Sequence, residues 1–235
     1  MRNSDFAPKQ LTKVQYRIDL AAKKANRDPS EITLIGACKQ QSSELIGEFH
    51  NAGLDDFGEN YLQEALEKRK TLSTIPNWHF IGRLQSNKCK DVAHHFSWVH
   101  TVDRLKIANA LALAAEKSSS TLNILVQLNI DEEKSKGGVS VQSATELCSQ
   151  ISEMSNLRLR GFMLIPKPTK DLVEQHRPFA LARETLESIN QRYGLDLDTL
   201  SMGMSNDIEA AILEGSTMIR IGTDLFGPRT NDAKA

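Results

Sequence analysis

The chain has 235 residues, 40% of them hydrophobic and 25% charged, with a formal net charge of −1. That length and apolar content suit one domain with a substantial core, and the near-neutral balance excludes a broad basic footprint for nucleic acid. The three cysteines, Cys38, Cys89 and Cys148, lie far apart and suit free thiols in a reducing compartment. Residues 1–10 lack the apolar core of a signal peptide, and no apolar run nears the roughly 20 residues that span a bilayer, so a cytoplasmic protein is expected.

Leu11, Val14, Ile18 and Ala21 recur at helical spacing and predict an amphipathic helix over 11–25. The apolar run 32–38 is too short for a helix and reads as a buried strand ending at Lys39. Ser42 or Ser43 caps the next helix, and Gly53 ends it. A short strand over 56–58 follows, with Asn60 opening a helix over 61–70. The alternation continues with a strand at 78–82, a helix from about Ser86, a strand at 98–102 and a helix capped by Asp103. Beyond them come a strand over 122–130, a helix over 144–154, a strand over 157–164, and a polar helical region to Tyr193 broken or started at Pro178. Residues 200–202 and 218–221 supply the last two strands, around a helix over 208–213 capped by Asn206 or Asp207 and stopped by Gly215. Eight strands alternating with helices predict a single α/β domain over 1–235, a (β/α)8 TIM-type barrel with an extra N-terminal helix and a frayed tail at 229–235. A doubly wound open sheet is the alternative.

In such a barrel the chemistry lies at the C-terminal ends of the strands. Gly203-Met204-Ser205 and Gly222-Thr223 are small-residue turns after the last two strands, a natural phosphate cradle. Lys39 ends the first strand. Against an apolar wall its amine would have a lowered pKa and could attack an aldehyde; alternatively it reaches solvent from a strand end. Arg220, between Ile219 and Ile221, faces the barrel axis by alternation and needs either an anion or an ion pair with Glu59, Asp103 or another acid. Asn60 and Ser86 lie in strand-end loops rich in hydrogen-bonding side chains, where helix capping is the plainer role. The charged run 131–138 is a solvated loop or a lid. Cys38 points away from Lys39 and packs against helices. His79 lines the barrel or, the plainer reading, is a satisfied core histidine, and the six histidines form no metal-ligand pattern.

Three stretches together resemble one family. They are Phe57-Gly58-Glu59-Asn60-Tyr61-Leu62-Gln63-Glu64, Trp78-His79-Phe80-Ile81-Gly82-Arg83-Leu84-Gln85-Ser86-Asn87-Lys88, and Leu200-Ser201-Met202-Gly203-Met204-Ser205 with Ile219-Arg220-Ile221-Gly222-Thr223. Their order and wording are similar to the pyridoxal phosphate homeostasis proteins (the YggS/PROSC family), over about 32–227. That family in turn resembles the barrel domain of alanine racemase and of bacterial-type ornithine decarboxylase relatives. The resemblance implies that Lys39 holds pyridoxal 5′-phosphate as an aldimine. It implies that the phosphate lies among Ser201, the Met204 backbone, Ser205, Gly222 and Thr223, that Arg220 faces the pyridine nitrogen, and that Asn60 lies near the phenolic oxygen. The family's Val-Ser-Lys-Thr-Lys is here Ala37-Cys38-Lys39-Gln40-Gln41, so the second basic group of that loop is missing.

A racemase needs two bases, one on each face of the substrate's α-carbon. In alanine racemase the second is a tyrosine from a separate domain of the partner subunit. Tyr16, Tyr61 and Tyr193 are the only tyrosines, and none follows the last strand. The expected function is therefore storage and delivery of pyridoxal phosphate rather than turnover, with no catalytic residue. Apoenzymes that use the cofactor are the expected recipients, the state is a monomer, and neither nucleic acid, membrane nor metal is a partner. A weak amino-acid racemase and a non-covalent binder of another phosphorylated metabolite are the alternatives. Lys134 and Lys136 are candidates for a second, electrostatic cofactor site.

Overall fold

Each apolar run forms a strand and each amphipathic run a helix in the computed structural model, which describes residues 5–227 apart from 73, 76, 134 and 135. The elements in order are α1 (Phe6–Lys24), β1 (Thr33–Ala37), α2 (Ser43–Asn51), β2 (Asp56–Glu59), α3 (Leu62–Thr71), β3 (Asn77–Phe80), α4 (Cys89–His95), β4 (Trp98–Val102) and α5 (Leu105–Lys117). There follow β5 (Leu122–Leu128), α6 (Val141–Ser152), β6 (Leu157–Leu164), α7 (Leu172–Tyr193), β7 (Thr199–Ser201), α8 (Ile208–Leu213), β8 (Met218–Ile221) and α9 (Thr223–Phe226). The strands close in sequence order into one parallel barrel, with β1 and β8 in register through Ile35 and Arg220. The fold is thus a (β/α)8 barrel with an extra N-terminal helix. The open-sheet alternative does not hold. No helix of the described residues is long and apolar enough to cross a membrane.

Period-two alternation sorts the strand residues into two populations. Leu34, Trp78, Phe80, Val99, Ile124, Phe162, Leu200, Ile219 and Ile221 are buried in the shell between sheet and helices, where Phe49 stacks edge-on against Phe226 at 4.8 Å. Ile35, Leu125, Met163 and Met218 are buried apart from that shell, at the alternate positions that face the barrel axis. His79, His100, Ser201 and Arg220 occupy the same inward phase and are also buried.

Several boundaries differ from the expected ones. Ser42 is the cap of α2, its hydroxyl accepting the Leu45 N–H. Asn60 does not cap α3, whose N-cap is Tyr61 without a side-chain bond. Ser86 opens a short 3-10 turn rather than capping α4. The Asp103 carboxylate is taken by Arg104 and does not cap α5. Asp207 is the N-cap residue of α8, but its carboxylate turns back to the Met204 N–H. Pro178 neither starts nor breaks α7; it lies inside a continuous helix. Proline removes the bond to the carbonyl four residues earlier, and here that carbonyl belongs to exposed Glu174, where water can satisfy it. The tail 229–235 lies outside the described residues.

Candidate functional site

A cavity of about 840 Å³ opens at the C-terminal ends of the strands. Lys39, Asn60, Met204, Ser205, Arg220, Gly222 and Thr223 all line it, from four stretches of the chain. Ser201 is the expected site residue that does not line it. Its side chain is fully buried one step down the axis, with its hydroxyl 2.8 Å from both Arg220 and the His100 Nδ1.

The segment carrying Lys39 is clamped from its outer side. Lys68 of α3 reaches in and donates to the Cys38 carbonyl at 2.7 Å, to Glu64 at 2.7 Å, and to buried Glu59. Glu64 also accepts the Gln40 N–H. Both peptide groups flanking Lys39 are therefore tied to one buried ionic cluster. Burial alone would lower the Lys68 pKa, but Cys38 and then the carboxylates of Glu59 and Glu64 outweigh that and raise it, so the ammonium stays charged. Burial raises Glu59 against the opposing pull of Lys68. Gln40 sits at φ +61°, a left-handed conformation that a side chain adopts at a cost of about 1 kcal/mol. Cys38 points the other way from Lys39, into the helix-facing core, and burial followed by Glu59 pushes its thiol well up.

Arg220 rises from the barrel axis into the cavity. It has no carboxylate partner among the described residues: it donates to Ser201 Oγ at 2.8 Å and to the Leu164 carbonyl at 2.9 Å. Of its two expected roles, the pairing with Glu59 or Asp103 does not occur; those acids go to Lys68 and Arg104. Burial pushes Arg220 down to about 10, so it is a cation at neutral pH.

The cradle is built from the turns after β7 and β8. Gly203 has φ +98°, and a Cβ there would stand 2.7 Å from the Ala211 Cβ, so the first turn requires glycine. The Met204 N–H is donated to Asp207 at 2.6 Å, and burial raises the Asp207 pKa. The Ser205 carbonyl is held by Arg17 of α1 at 2.9 Å. Asn60 is held near the cavity because Gly82 packs on its backbone, where an added Cβ would lie 2.0 Å from the Asn60 carbonyl oxygen.

The run 165–171 after β6 brings Pro166, Lys167, Thr169 and Lys170 to the cavity wall. Sequence reasoning passed over these residues, although two prolines directly after an apolar strand signal a loop rather than a helix. It also missed Lys68, whose only mark is its i,i+4 spacing to Glu64. Of the charged run 131–138, Asp131 accepts the Lys167 N–H at 2.6 Å and Lys136 donates to Glu133 and the Ile165 carbonyl. Lys136 does not line the cavity, and Lys134 lies outside the described residues.

Residues 11–230 match the family described as alanine racemase, N-terminal domain. The pyridoxal phosphate homeostasis protein of Pseudomonas aeruginosa is 49% identical over 96% of both chains, and that of Escherichia coli is 43% identical over 95% of this chain and 97% of its own. The chain belongs to the pyridoxal phosphate homeostasis protein family. Among solved structures, PipY of Synechococcus elongatus, a COG0325 family member, without pyridoxal phosphate superposes with a TM-score of 0.84 at 32% identity, covering 94% of this chain and all of PipY. PipY with pyridoxal phosphate bound gives 0.81 at 33% identity, over 89% of this chain and all of that one. Alanine racemase from Clostridium difficile shares the barrel, with a TM-score of 0.72 at 16% identity; this chain spans 60% of it.

Proposed function

We propose that this member of the homeostasis family binds pyridoxal 5′-phosphate as a Schiff base on Lys39, to store and deliver it rather than to turn over substrates. The observation that carries the reading is one cavity lined by a strand-end lysine, a buried arginine with no carboxylate partner among the described residues, and two small-residue turns. This donor set fits the cofactor. Lys39 supplies the amine for its aldehyde, and Ser205, Gly222 and Thr223 supply donors for a phosphate. Asn60 serves the phenolic oxygen. Arg220 meets the pyridine nitrogen as a group that only donates, which keeps that nitrogen unprotonated and the ring a weak electron sink. The Met204 N–H joins the phosphate set once Asp207 releases it. Ser201, whose hydroxyl is already shared between His100 and Arg220, acts by holding Arg220 rather than by touching phosphate. When bound, the cofactor supplies an aldehyde that condenses reversibly with amines.

A carrier needs that reversibility and no second base. None of Tyr16, Tyr61 and Tyr193 lines the cavity, which supports storage over a weak racemase. On this reading the protein is a monomeric, single-domain unit of the cytoplasm that hands the cofactor to apoenzymes. Three buried free thiols support the reducing compartment.

The test is borohydride reduction of protein incubated with pyridoxal phosphate, followed by peptide mass spectrometry. A pyridoxyl adduct on Lys39, absent in Lys39→Ala, is expected; an unmodified Lys39 overturns the covalent reading. Ser205→Ala combined with Thr223→Ala is expected to weaken cofactor retention about tenfold, the worth of roughly one charge-assisted hydrogen bond. Exchange of the α-hydrogen of L- or D-alanine that is lost in Lys39→Ala would favour the racemase instead.

A further inference from the structure

A line of buried polar side chains runs down the inside of the barrel beneath Arg220. Arg220 donates to Ser201 Oγ at 2.8 Å. Ser201 Oγ lies 2.8 Å from His100 Nδ1, His100 Nε2 lies 3.0 Å from His79 Nδ1, and His79 Nε2 lies 2.8 Å from Asp56 Oδ1. His79, His100 and Ser201 are completely buried. Asp56 is the first residue of β2 and opens on a separate groove of about 570 Å³ with Thr33, the first residue of β1. The line therefore joins the N-terminal face of the barrel to the floor of the cavity at the other face.

Counting donors gives the line a direction. A guanidinium only donates, so Ser201 accepts from Arg220. Ser201 has no other partner than His100 among the described residues, so its own proton goes to His100 Nδ1. His100 Nδ1 then carries no hydrogen, and its Nε2–H donates to His79 Nδ1. That nitrogen in turn carries no hydrogen, and the His79 Nε2–H donates to the Asp56 carboxylate. A proton added to either imidazole would set two N–H groups face to face, or leave the Ser201 hydroxyl buried and unpaired. His79 is further fixed by stacking on Trp98, with ring centroids 5.9 Å apart and planes 11° apart. Burial, and then the neighbouring His79 and Arg220, hold His100 well below its ordinary pKa. The other charged group facing Arg220 is Asp207 on the cradle side.

We propose that Asp56, His79, His100 and Ser201 form a one-way hydrogen-bond relay that positions Arg220, with both imidazoles neutral and protonated on Nε2. The relay gives the guanidinium a strong neutral acceptor from below, polarised by a carboxylate at the far end of the line. Arg220 is thereby oriented without being neutralised, and its charge stays available at the cavity floor. Only the consequence for a bound ligand rests on the proposed meeting of Arg220 with the pyridine nitrogen; the direction of the relay does not.

The full-length protein without ligand, labelled with ¹⁵N-histidine and ¹⁵N-arginine, tests this by NMR at pH 7. His79 and His100 are expected as Nε2–H tautomers with bare Nδ1. An Nδ1–H tautomer or an imidazolium at either overturns the proposal. The Arg220 N–H protons are expected to exchange slowly with solvent and at least tenfold faster in Ser201→Ala; exchange as fast as that of a surface arginine in the wild type overturns it. Asp56→Ala, at the outer end, separates a connected relay from a local Ser201–Arg220 bond. Exchange at Arg220 at least threefold faster supports the relay, and unchanged exchange reduces it to the local bond and overturns it. With pyridoxal phosphate added, Ser201→Ala is expected to shift the visible absorbance maximum of the bound cofactor. A wild-type protein that takes up no cofactor defeats the proposed function, while the tautomers still decide the relay.

Discussion

His100 is a titratable group that the fold holds in its neutral form. Its folded pKa lies well below the ordinary value, through burial first and then through His79 and Arg220. In the unfolded chain the same imidazole takes up a proton as the pH falls through about 6.5. Below that value the unfolded state binds a proton that the folded state refuses, so stability is lost as the pH falls, by up to about 1.4 kcal/mol per pH unit. Urea unfolding at pH 7.5 and 5.5 is expected to show a steeper loss for the wild type than for His100→Gln; parallel losses would mean that His100 is protonated in place. The residue also marks a limit of sequence reading. Arg220 was legible because a charge inside an apolar strand run has few explanations. The partner of His100 was not, because Ser201 lies 101 residues away, and only the closed barrel brings β4 and β7 to the same axis.

The loop between β1 and α2 shows how elements share the work of one side chain. Lys39 was visible at its strand end, but what holds it comes from β2 and α3, as Glu59, Glu64 and Lys68. Hydrophobic period carried the fold well: β4, β6 and β8 fall on their expected residues, and the barrel follows from the alternation. Caps were less legible, because the same Asp or Asn has competing partners nearby. Asp103 goes to Arg104, and Asp207 goes to Met204. Buried ionic clusters were hidden for a different reason, since a lysine in a polar helix such as α3 looks solvated until its neighbours are in place. Lys68→Met strands Glu59, which has no exposed surface, and is expected to cost about 3–5 kcal/mol, the range for breaking a buried pair from one side. Adding Glu59→Gln removes the stranded charge and should recover part of that loss. Chemical unfolding of the single and double variants measures both. If the double variant is no more stable than the single, burial of the Glu59 charge is not what makes the single change costly.

At the scale of the whole molecule, α1 ties the start of the described chain to its last two strand–helix units. Arg17 donates to Glu209 of α8 through two nitrogens at 2.9 Å, to Asp224 of α9 at 2.7 Å, and to the Ser205 carbonyl at 2.9 Å. One guanidinium thus joins both turns of the cradle from behind, outside the cavity that it supports. The hydrogen bonds that Arg17 donates to Glu209 outweigh the opposing effect of burial and raise the Arg17 pKa. The side chain is 32% exposed and its partners 47% and 37%, so solvent and salt screen the pairs. A stability contribution of about 1 kcal/mol follows, nearer to that of a surface network than to a buried bridge. The effect on the cradle should exceed the effect on the fold, because α8 and α9 are short and Arg17 sets the spacing between their turns. Arg17→Met is therefore expected to lower the melting temperature by only a few degrees while weakening retention of pyridoxal phosphate about threefold to tenfold. The wild type should lose part of the same retention in 1 M salt, where the pairs are screened, and the variant should lose less. Equilibrium dialysis of both proteins at low and high salt measures this. Equal retention by the two at low salt would mean that the cradle keeps its shape without α1.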